Sequence, residues 1–121
     1  MKRILIILTV LFGFQMHAQD PFLQKDSDAM EAKAKEITQK YDAELGLTAK
    51  QAILFQKKVE EFLIRRQNVN NAFTGKERLD QLLILQTNET AEMGNILTQI
   101  QLDRYKKFRP IFQPLDRVDD Q

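Results

Sequence analysis

The chain contains no cysteine, one histidine, four glycines and three prolines among 121 residues. Each shortage closes off a class of chemistry. Without cysteine there is no disulfide framework, no thiolate metal site and no residue to carry a lipoprotein anchor. The only histidine is His17, so beyond it no imidazole can ligate zinc or copper. The few glycines form no phosphate-cradling loop. An excess of charge is lacking too: 18 basic residues stand against 17 acidic ones. That balance leaves no electrostatic footprint for a nucleic acid. Length allows one domain.

Long apolar runs are also absent. The one apolar stretch, Ile4 to Phe14, follows Lys2 and Arg3 and precedes Gln15-Met16-His17-Ala18. A basic start, a short apolar centre and a polar exit ending in a small residue predict a secretory signal peptide over residues 1–18. A permanent membrane anchor would need roughly 20 apolar residues. Residues 19–121 then carry 16 basic and 17 acidic side chains and no histidine. The same segment offers no nucleophile–base pair, and its adjacent carboxylates do not converge. Glu60 and Glu61 point about 100° apart on a helix, and Asp119-Asp120 falls in the polar tail. The expectation is therefore no enzyme, no cofactor and no metal. Asn88-Glu89-Thr90 matches a glycosylation sequon but falls mid-helix.

What is present is helical. Residues 19–27 read as a flexible lead, with Pro21 opposing helix. Asp28 with Glu31 makes a capping-box pattern before the stripe Met30, Ala34, Ile37, Tyr41 and Leu45, and Gly46 closes that helix. Leu47-Thr48-Ala49-Lys50-Gln51 is a second capping box, with Leu47 placed to staple against Ala52. The same pattern returns at Leu97-Thr98-Gln99-Ile100-Gln101, and a related one, Thr74-Gly75-Lys76-Glu77, lies between them. Four helices are predicted, over 28–45, 48–72, 75–93 and 98–112. Asn70-Asn71 and Gly94-Asn95 mark turns, Pro110 and Pro114 close the last helix, and 114–121 is a polar tail. Short connections make neighbours antiparallel.

The helical faces divide the apolar residues into two sets. Ala52, Phe55, Val59, Phe62, Leu63, Val69 and Phe73 form the core stripe of helix two. Leu79, Leu82, Leu83 and Met93 serve helix three, and Leu102, Tyr105, Phe108 and Phe112 serve helix four. Ile53, Ile64, Ile84, Leu85, Ile100 and Ile111 fall off these stripes. Two accounts stand: ordinary exposed aliphatics, or a second apolar face presented to a partner. Arg66 lies within the stripe of helix two, where its stem can pack while its head reaches water. Lys58 and Arg65 flank it. Residues 57–109 hold ten basic and seven acidic side chains, a small positive excess.

A signal peptide, a small helical body and two Leu-Thr-x-x-Gln motifs together resemble the Spy/CpxP family of bacterial periplasmic proteins. Leu47, Thr48 and Gln51 match the first motif, and Leu97, Thr98 and Gln101 the second. The resemblance covers roughly residues 28–112. It implies an all-α fold, four helices in a thin antiparallel cradle, and a homodimer in the periplasm. It also implies ATP-independent binding of unfolded or misfolded proteins, or restraint of an envelope-stress sensor. Relatives that bind zinc do so through histidines, so metal sensing is not carried over. The motif residues would be structural. Candidate client or partner contacts, lying off or beside the main stripe, are Ile53, Lys57, Lys58, Ile64, Arg65 and Arg66. The alternative is a regulatory protein binding one folded partner.

Overall fold

A computed structural model describes residues 21–115, with side chains from Ser27 onward. The expected signal peptide and the end of the polar tail lie outside the described residues. Four helices and no strand are present among them: α1 (Pro21–Leu45), α2 (Ala49–Ala72), α3 (Gly75–Met93) and α4 (Gln99–Phe112). α2 packs on both α1 and α3, and α4 packs back on α1. None of these helices is long and apolar enough to cross a membrane.

The helix boundaries follow from local chemistry. Gly46 takes a left-handed conformation, φ 63°, and its N–H donates to Asp42 O at 2.9 Å. The Asp42 carboxylate then accepts from Leu47 N–H at 2.8 Å. A residue with a Cβ would be strained at Gly46, so the turn into α2 depends on it. Thr48 and Thr98 both form complete capping boxes with Gln51 and Gln101. α3 continues into a turn over 94–96 that hands the chain to Leu97.

Several expectations need correction. α1 begins at Pro21, seven residues before Asp28, because proline is favoured at a first helical position and no breaker follows it. Thr74 caps the start of α3 without any side-chain hydrogen bond. Gly75 beside it is left-handed, φ 59°, which redirects the chain between Thr74 and the first turn. Asn70 and Asn71 complete the last turn of α2, and the reversal is made by Phe73, Thr74 and Gly75. Pro110 lies inside the last turn of α4, which ends at Phe112 as expected. Leu83 is 53% exposed. It lies about 100° from buried Leu82 on the helix, and α3 packs chiefly on α2, so its buried arc is narrow.

The core sits near the end of the molecule that carries the two motifs. Ala34, Ile37, Tyr41 and Leu45 of α1 meet Phe55, Val59 and Leu63 of α2, Met93, Leu97 and Tyr105. Tyr41 is the hub. Its ring centroid lies 5.2 Å from Phe55, 5.0 Å from Tyr105 and 5.0 Å from Phe112. Such tilted and edge-on pairs add roughly 0.5–1.5 kcal/mol each beyond the area they bury. Leu47 and Leu102 pack against the same cluster, so the motif's leading leucine anchors the loop to the core.

Candidate functional site

The two motifs meet. Gln51 and Gln101, fifty residues apart, exchange hydrogen bonds through their side-chain amides. Gln51 Nε2 donates to Gln101 Oε1 at 2.8 Å, and Gln101 Nε2 donates to Gln51 Oε1 at 3.1 Å. Each Oε1 also accepts from its own cap: Thr48 N–H at 3.0 Å and Thr98 N–H at 3.0 Å. The remaining Nε2 hydrogens go to the opposite loop. Gln51 reaches Ile96 O at 3.1 Å, and Gln101 reaches Leu45 O at 3.4 Å. Every amide donor and acceptor is thereby used. Each glutamine caps its own helix and fastens the turn that precedes the other motif. The motif residues Leu47, Thr48, Gln51, Leu97, Thr98 and Gln101 thus form one tertiary joint.

A second polar assembly lies within the helices. Arg109 of α4 is buried and donates to buried Glu89 of α3, to the Tyr105 hydroxyl and, at 3.3 Å, to Thr90 Oγ1. Tyr41 O–H donates to Gln113 Oε1 at 2.8 Å. Burial pushes both tyrosine pKa values well above the ordinary phenol value, so both hydroxyls keep their protons. Burial also pushes Glu89 upward, and Arg109 offsets this only in part. No sequence motif announced this pair. Glu89 nevertheless falls in phase with Leu82, Gln86 and Met93, and Arg109 with Leu102, Tyr105 and Phe112. The helical period was the available signal.

The six candidate contacts divide by placement. Ile53 and Ile64 are 60% and 40% exposed, and Lys57 is exposed between them. At 100° per residue these three lie within about 40° of one another on the outer face of α2. Lys58 is held instead between Glu92 at 3.0 Å and Glu61 at 3.1 Å, and those bonds raise its pKa. Arg65 pairs with Glu61 at 2.7 Å and lies over the Phe62 ring. Arg66 is half-buried, and its Nη2 donates to Pro114 O at 3.4 Å.

Beside Lys57 and Lys58 runs an open groove of about 320 Å³, with Leu54 and Ile96 in its wall. Ile84 on α3 and Ile100 and Ile111 on α4 are exposed, as their off-stripe positions predict. Leu85 departs from that set and is half-buried. Ile100, Lys107 and Ile111 share one side of α4. Compared with protein-family models, curated proteins and solved structures, the chain matches none.

Proposed function

We propose that this protein is an exported, ATP-independent holdase of the Spy/CpxP kind, acting in the periplasm as a homodimer with a cradle-like arrangement of helices. The observation that carries the reading is the exposed Ile53–Lys57–Ile64 stripe on α2, next to the groove walled by Leu54 and Ile96. Its mechanism is transient burial of apolar client segments, with exposed Lys57 steering acidic or amphipathic stretches to the surface, while Lys58 and Arg65 stay paired with Glu61 and Glu92. The paired Leu-Thr-x-x-Gln joint supports the family reading, because it gives both motifs a shared structural task.

The energetics suit reversible capture. Full burial of an isoleucine contributes at most about 1.5–3 kcal/mol, and each of these side chains is already partly covered. Two such contacts, about half of a full burial each, supply about 3 kcal/mol at most before the ordering of the client, so capture by this stripe alone is no tighter than the millimolar scale. Release then needs no nucleotide. Near-stoichiometric protein lacking residues 1–18 should slow aggregation of several unrelated unfolded proteins, and added salt should weaken the effect. Protection of none of them would refute the holdase reading and favour a regulator of one folded partner.

A further inference from the structure

Three buried polar atoms near the Glu89–Arg109 pair make no hydrogen bond to the described residues: Glu89 Oε2, Arg109 Nε and Gln86 Oε1. The residues that carry them all line one small cavity of about 30 Å³, walled on its apolar side by Phe62, Leu82 and Leu85. Leaving buried donors and acceptors unmade is costly, so such atoms ordinarily find partners. Two of these atoms are acceptors and one is an N–H donor. The Glu89–Arg109 contact runs through Oε1 and Nη2, the second arm of a fork, Nε–H to Oε2, is not made, and Gln86 Oε1, an acceptor, has no donor.

We propose that this cavity is a structural water site. One water accepts from Arg109 Nε–H and donates to Glu89 Oε2 and Gln86 Oε1. Those three bonds match the usual number for a buried water, and the space exceeds the roughly 10–15 Å³ that one requires. The same count disfavours other occupants. Arg66 and Gln113 also line the space; a cation would face two guanidiniums, a monatomic anion would face the acceptor oxygens of Glu89 and Gln86, and about 30 Å³ admits no larger ion or organic ligand. The water completes the link between α3 and α4.

The test is magnetic resonance on the ¹⁵N-labelled chain lacking residues 1–18, reading the Arg109 Nε–H directly. The proposal predicts cross-peaks to water with opposite signs in laboratory-frame and rotating-frame experiments, the signature of a long-lived bound molecule. Gln86→Leu removes one partner and fills part of the space, and it should weaken those cross-peaks several-fold while the helical circular dichroism is kept. A crystal structure near 1.5 Å should show one density peak within about 3.2 Å of all three atoms. Absent cross-peaks, same-sign cross-peaks of fast surface hydration, or Gln86 turned to donate onto Glu89 in the crystal would each overturn it.

Discussion

Replacing Gln51 with Glu separates the local from the tertiary task of the motif. Glutamate is a favoured third residue of a capping box. Its carboxylate can accept from Thr48 N–H as Gln51 Oε1 does, and negative charge in the first turn of α2 adds up to about 1 kcal/mol of dipole stabilisation. A motif that only starts a helix should therefore tolerate the change or gain from it. The joint should not. Two donated bonds disappear, to Gln101 Oε1 at 2.8 Å and to Ile96 O at 3.1 Å. An oxygen then faces two oxygens, and rotating the Gln101 amide to relieve this would break its bond from Thr98 N–H.

At about 1 kcal/mol net per hydrogen bond, the loss is about 2 kcal/mol before repulsion. Less the dipole gain, Gln51→Glu should destabilise by about 1–2 kcal/mol. For a chain of this size that lowers Tm by roughly 4–8 °C per kcal/mol. Urea unfolding followed by far-ultraviolet circular dichroism gives the free-energy difference at constant m. A cycle of Gln51→Ala, Gln101→Ala and the double variant should show a coupling of about 1 kcal/mol, within the range for residues in contact. A Gln51→Glu protein as stable as the parent, with additive alanine variants, would refute the joint.

Two further outcomes follow from the same geometry. Thr48→Ala should cost about 1 kcal/mol, whereas Thr74→Ala, which removes no side-chain cap bond, should stay within about 0.5 kcal/mol; equal losses by thermal unfolding would contradict the Thr74 assignment. Because burial holds the Glu89 carboxyl above its ordinary 4.5, the folded state binds more protons than the unfolded state between 4.5 and that raised value. Stability from this group is fully present below 4.5 and is lost as pH rises through the window. The stability of the parent relative to Glu89→Gln should accordingly fall as pH rises from acid, and a relative stability that grows with pH would show that Arg109 outweighs burial.

The start of α2 and of α4 was legible because a capping box is written within four residues. So was the α1 stripe, whose Ala34, Ile37, Tyr41 and Leu45 are all buried. What local pattern could not show was that Gln51 and Gln101 meet, since nothing in either pentapeptide fixes a contact fifty residues away. Glu89 and Arg109 were in phase with the buried faces, but a stripe read from apolar residues passes over charged ones. Leu83 was misplaced for the opposite reason: apolarity assigned it to a face that α3, packed chiefly on one neighbour, does not bury. For the candidate surface, the helical period placed Ile53 and Ile64 outward; the i,i+3 spacing of Lys58 and Glu61 was a local signal, but nothing local announced that Glu92 on α3 also engages Lys58.

The proposed function turns on whether the outer face of α2 meets unfolded chains. A photo-crosslinking residue placed at Ile53 should capture an unfolded client during an aggregation assay. The same residue at Asn88, an exposed position on α3, should capture far less. Equal capture at both positions, or none at Ile53 under conditions where aggregation is suppressed, would contradict the account.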